Sequence, residues 1–126
     1  MKILIKITKN ILEKSKNCNP KYCEVTKNCA IALAIIDILP DAEVSFVEIY
    51  VPYSYEIEKC IRIPIPIEAT KFIREFDRLK NFPEKRMLMP EFSFEIEVPI
   101  EIIEKIGISD VYKILSESKT LELVSI

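Results

Sequence analysis

Two hydrophobic periods run through this chain, and together they leave it few folds. Ile3, Ile5 and Ile7 alternate with Lys2, Leu4 and Lys6, and Phe92, Phe94, Ile96 and Val98 alternate with Ser93, Glu95 and Glu97. A repeat of two belongs to a strand with one face in a core and the other in water. From Ile67 the repeat becomes helical, with Ala69, Phe72, Ile73, Phe76 and Leu79 on one stripe. Such a chain has to pack helices against a sheet.

Local signals fill in the remaining elements. Thr8 can cap a short helix through Ser15, and Asn17, Asn19 and Pro20 then mark a lysine-rich loop that holds Cys18 and Cys23. Asn28 is a fitting N-cap for a helix over 29–39, apolar on nearly every face and stopped by Pro40 and Asp41. Residues 44–51 read as one strand, and residues 55–65 as its antiparallel partner, turning around Pro52 to Ser54. In that second strand Ile57, Ile61, Ile63 and Ile65 take one face and Glu56, Glu58, Cys60 and Arg62 the other. Pro64 and Pro66 end the strand, because proline cannot donate to a ladder. Residues 81–90 read as a loop, Pro99 opens a helix that ends at Gly107, Ser109 starts another to about Ser116, and residues 120–126 form a last strand.

The expected order is β-α-α-β-β-α-β-α-α-β. It describes a single α+β domain over 1–126, with a mixed or antiparallel sheet of about five strands packed by helices on one face. A chain of 126 residues is close to the usual size of one domain, and no internal repeat divides it.

Composition narrows the setting and the chemistry. The longest uninterrupted apolar run, Cys29 to Ile36, is far short of a membrane span, and the lysines of the N-terminal stretch do not fit a secretory signal. A cytoplasmic location without membrane contact is expected. Abundant Ile, Lys and Glu with eight prolines and one glycine suit either a hyperthermophile or an AT-rich genome, and both readings stay open. The chain has no histidine, which removes the Ser-His, Cys-His and His-metal sites. Its one glycine, Gly107, cannot build a glycine-rich phosphate loop.

Three groups of residues remain as candidates for function. Cys18, Cys23 and Cys29, spaced C-x4-C-x5-C and completed by Cys60, have the donor set of an all-thiolate zinc site, although a C-x2-C knuckle is missing. A disulfide, inert thiols, or a reactive Cys29 activated at a helix N-terminus are the other readings. Two of Glu48, Glu56, Glu58, Glu95 and Glu97 on adjacent strands would make a carboxylate pair for acid-base work or a hard cation. Charges on an outer sheet face more often keep a protein soluble. Lys2, Lys6, Lys9, Lys14, Lys16, Lys21 and Lys27 stand against only Glu13 and Glu24 in the first thirty residues, a basic stretch that can meet phosphates or simply be solvated.

Three segments also carry a resemblance: NCAIALAIIDILPDAEV over 28–44, IPIEATKFIREFD over 65–77 and MPEFSFEIEVP over 89–99. Together they resemble a group of small uncharacterised proteins of phages and other mobile elements. That group's pattern is a Cys-Pro-Ile-Ala-Leu-Ala-like helix start, a Phe-Ile-x-x-Phe-Asp helix and a Pro-Phe-x-Phe strand. Ala30 stands here where the pattern has proline. The resemblance implies a viral or mobile-element accessory protein acting on a host factor in the host cytoplasm, and it brings no activity with it. The function expected is therefore a non-enzymatic module that binds a protein or a second copy of itself. A nucleic-acid binder using residues 1–30 and a small enzyme using Glu or Cys side chains are the alternatives.

Overall fold

A computed structural model describes residues 1–19, 29–54 and 59–126. Strand β1 (Lys2–Ile7) lies in the middle of a three-stranded antiparallel sheet, between β5 (Phe92–Glu97) and β6 (Leu121–Ser125). Ile3 stands opposite Ile96 and Ile5 opposite Phe94, so the alternating residues of both strands meet on one face. That face is the core side, where Ile3, Ile5, Ile7, Phe94, Ile96 and Leu121 are buried. The β1–β6 register slips between Lys2 and Ile3, a bulge on the last strand.

A second antiparallel sheet holds β2 (Glu43–Val44), β3 (Glu48–Ser54) and β4 (Lys59–Pro64) in that order. Its buried residues Val44, Ile49, Val51 and Ile63 belong to the same apolar core as the first sheet. The α+β class holds, but the described residues form six strands in two small sheets instead of about five in one. Ser45 is one cause. Its hydroxyl accepts from the amides of Val47 at 3.4 Å and Glu48 at 3.2 Å, a side-chain turn that splits the stretch 44–51 into β2 and β3. At the other end β3 runs on through Ser54, past the expected turn, and the rest of the hairpin loop lies outside the described residues.

Helices complete the layer. Thr8 caps α1 (Lys9–Ser15) through the Ile11 amide, as expected. Helix α2 (Ala30–Ala34) is much shorter than the expected 29–39, and Cys29 is its N-cap; Asn28 lies outside the described residues. The β-branched pair Ile35 and Ile36 disfavours helix. In addition, the Thr120 hydroxyl donates to the Ala34 carbonyl at 2.6 Å, taking an acceptor at the helix end. Residues 35–39 continue as turns, with the Leu39 amide on the Ile35 carbonyl at 2.8 Å.

Helix α3 (Ile67–Arg78) buries Ala69, Phe72 and Phe76, the stripe read from its period. Phe76, Phe72, Phe92 and Phe94 form a continuous stack, with centroid separations of 5.9, 5.5 and 5.7 Å along it. The expected loop over 81–90 contains α4 (Pro83–Met87), a helix with no apolar period. Helices α5 (Ile100–Ile106) and α6 (Ile108–Glu117) follow, joined at Gly107. Among the described residues no helix is long and apolar enough to cross a membrane.

Candidate functional site

The most unusual buried group is a cation. Helix α4 carries Arg86 inward until it is fully buried, with its guanidinium 4.0 Å from the centre of the Phe76 ring. Its Nε donates to the Phe76 carbonyl at 2.7 Å, and Nη1 donates to the carbonyls of Lys16, at 3.2 Å, and Cys18. Phe76 lies in the last turn of α3, where carbonyls lack helical partners, and Lys16 closes α1. One planar fork thus ties together the C-terminal ends of two helices, a geometry that suits Arg and not Lys. Nη2 is buried and has no hydrogen-bond partner among the described residues. Burial pushes the Arg86 pKa down, while Cys18 and Asp77 pull it up. Asp77 is itself pushed up by burial, against the opposing charges of Arg86 and Lys80.

Asp77 also lines a small cavity of about 30 Å³ with Cys29, Ile31, Val44, Phe72 and Phe76. That volume suits one or two water molecules. Cys29 sits at a helix N-terminus as its sequence position suggested, but the activation that one of its readings invoked is reversed. Burial pushes its thiol from 9.0 up to about 11, outweighing the amides of Ala32 and Ile31 that favour the thiolate, and nearby Asp77 adds to the rise. A helix of five residues has too little dipole to win. Cys29 is therefore a protonated thiol at neutral pH.

Of the other expected zinc ligands, Cys18 is buried behind α1 and Cys60 is exposed on the outer face of β4, opposite Pro52. Cys23 lies outside the described residues. Among the described residues no three Cys, Asp or Glu side chains gather to hold a metal.

The carboxylates and lysines are spread over open surfaces. Glu95 and Glu97 are exposed on the outer face of β5, and Glu97 pairs with the N-terminal ammonium at 2.9 Å. Glu48 accepts from the Tyr50 hydroxyl at 2.9 Å and lies 3.7 Å from Arg62, whose guanidinium stacks over the Tyr50 ring. Glu56 and Glu58 lie outside the described residues. Lys2 and Lys6 share the outer face of β1, where Lys2 stands opposite Glu97 and Lys6 pairs with Glu122 at 2.9 Å. Lys9 donates to the Met89 carbonyl at 2.6 Å. Lys14 lines a shallow groove of about 280 Å³ with Lys119, Asp37 and Glu117. Lys16 gives its carbonyl to Arg86. Lys21 and Lys27 lie outside the described residues. The five described lysines thus divide between β1 and α1 with its C-cap, several of them beside carboxylates.

Three exposed apolar residues lie on elements that are hydrogen-bonded to one another. Phe46 and Val47, in the turn between β2 and β3, are 48% and 59% exposed, and Ile67 at the start of α3 is 65% exposed. The turn is fixed to its neighbours: the Thr70 hydroxyl donates to the Phe46 carbonyl and the Ile65 amide to the Val47 carbonyl at 3.0 Å. Arg74 lies 6.0 Å from the centre of the Phe46 ring. Ile67, Thr70, Lys71 and Arg74 follow helical spacing on one side of α3, so the turn and the helix present one joint surface.

Neither this surface nor Arg86 was singled out in the sequence. Arg86 was legible in part: Pro83 with Glu84 at one end and Lys85 with Arg86 at the other are the end signals of a short helix. No protein-family model, curated protein or solved structure matches the chain.

Proposed function

We propose that the protein is a non-enzymatic interaction module, an accessory factor of the viral or mobile-element type that its sequence resembles, which works by docking another protein. The observation that carries this reading is the exposure of Phe46, Val47 and Ile67, three large apolar side chains held outward on hydrogen-bonded backbone. Single exposed apolar residues are ordinary, whereas a contiguous group is a mark of interaction sites. The chemistry of the chain agrees. There is no histidine, Cys29 is a protonated thiol, and the candidate carboxylates Glu95 and Glu97 stand on an open strand face.

The test is sedimentation velocity over a wide concentration range, followed by photo-crosslinking from position 46 in an extract of the source cells, with position 95 as the control. A concentration-dependent dimer, or one stoichiometric complex crosslinked from 46 and not from 95, is expected. A protein that stays monomeric and gives the same crosslinks from both positions refutes the proposal.

A further inference from the structure

We infer that the surface formed by Phe46, Val47, Ile67, Lys71 and Arg74 receives an acidic, apolar peptide segment of a partner protein. This inference rests on the interaction-module reading and names where and what that module binds.

The first support is preorganisation. Exposed apolar side chains on a loose loop would have to be ordered on binding, at about 0.5–1.5 kcal/mol for each immobilised side chain. Here the Ser45 hydroxyl accepts two amides inside the turn and donates to the Glu48 carbonyl at 3.1 Å, while Thr70 and Ile65 tie the turn to α3 and to the strand end. The turn is braced on both sides and still leaves its two largest side chains in water. A turn in a purely structural role would gain by folding Phe46 inward or replacing it with a polar residue.

The second support is charge. The ion pairs among the described residues use Met1, Lys6, Arg62 and Arg78 as cations, and no described carboxylate lies within 4.0 Å of Lys71 or Arg74. The Arg74 guanidinium is instead placed near the face of Phe46, which leaves its edge free to donate to an incoming carboxylate. Two cations beside three apolar groups select a segment with apolar anchors flanked by Asp or Glu. A basic or purely apolar segment would leave these charges unmet or opposed.

A random-peptide phage library tests this without knowledge of the natural partner. It is panned against the intact protein after depletion on the variant that combines Lys71→Glu and Arg74→Glu. Enrichment for peptides with two or more acidic residues next to Phe, Leu or Ile is expected. Their binding should weaken at least tenfold in Phe46→Ala and in Ile67→Ala, and should fall as salt is raised. Folding of each variant is checked by circular dichroism, and chemical-shift mapping of the wild type with one selected peptide locates the site without any substitution. Peptides without acidic enrichment, or shifts centred away from Phe46 and α3, overturn the inference. If peptides or proteins bind elsewhere on the chain, the surface fails while the interaction-module reading stands; if the protein also passes the crosslinking test as an inert monomer, both fail.

Discussion

The Arg86 guanidinium lies against the ring of Phe76 and donates to the carbonyl of the same residue at 2.7 Å, so one residue of α3 holds the buried cation by both its side chain and its backbone. The same fork reaches the carbonyls of Lys16 and Cys18, 70 and 68 positions away in sequence. Charge burial of this kind is costly unless its partners are all in place, and deleting one side leaves the other unmet.

Arg86→Met should therefore destabilise the fold by about 3–5 kcal/mol, because three carbonyls, those of Phe76 and Cys18 in buried bonds, lose their donor at once. Arg86→Lys should recover only part of that, since a single ammonium cannot span both helix ends. Urea denaturation of the two variants beside the wild type checks the order. A Lys variant as stable as the wild type would mean that charge, and not the fork geometry, holds the site.

Cys29 predicts a loss of stability in alkali. Its folded-state value of about 11 lies above the ordinary 9.0, so the native state keeps its proton longer than the unfolded chain. The contribution is fully present below pH 9 and declines as the pH rises to about 11, by about 2–3 kcal/mol for a two-unit separation. Lysines and tyrosines titrate in the same range, so the comparison is with Cys29→Ala, which should lose that much less between pH 8.5 and 11. Parallel stability curves for the two proteins would contradict the assignment.

Asp77 gives a second pH dependence of the same sign at the acid end. Burial raises its carboxyl above the ordinary 3.8, so the native state favours the protonated form, and stability falls as the pH rises from that value through the folded-state one. Asp77→Asn should flatten this slope in denaturation curves taken between pH 3 and pH 7. An unchanged slope would place the cause on another carboxylate.

Gly107 joins α5 to α6 at φ 97° and ψ 129°, a conformation that L side chains rarely adopt. An added methyl would meet only an Asp110 carboxylate oxygen at 3.8 Å, ordinary contact, so any penalty comes from the backbone alone. Gly107→Ala should cost about 1–3 kcal/mol in urea denaturation. Unchanged stability in Gly107→Ala would show that the junction shifts its backbone without cost.

These particulars also show how far the chain could be read in advance. The strands with β1 and β5 and the stripe of α3 were legible because a single face of each is buried, and burial on one face imposes its period on the residues. The division into two sheets was not. Alternation looks the same in Ile3 and Ile5 as in Ile61 and Ile63, and which strand each one pairs with is decided by contacts between distant residues, such as Ile3 with Ile96. Helix α4 escaped because its one inward side chain is an arginine, which any hydrophobic pattern counts as surface. The choice among the readings open for Cys29 was hidden for a related reason: its place at a helix start was visible, but the burial that raises its thiol comes from α3 and β2, far along the chain. The apolar surface had no signature either, since Phe46 and Val47 look like strand residues until the Ser45 turn sets them outside the sheet.

That surface yields a last prediction, in which folding and binding part. Ile67 is 65% exposed at the first position of α3, so little apolar area is lost on replacing it. A carboxylate placed there would interact favourably with the positive end of a twelve-residue helix, by about 0.3–1 kcal/mol. Ile67→Glu should thus leave the urea midpoint unchanged or slightly raised. The same variant should lose binding of acidic peptides, because it sets a negative charge beside Lys71 where the partner's own carboxylate would come. A residue kept for the fold would show the opposite pattern, with stability lost and binding following it. An Ile67→Glu protein that unfolds earlier than the wild type would therefore move this residue from the docking surface to the core.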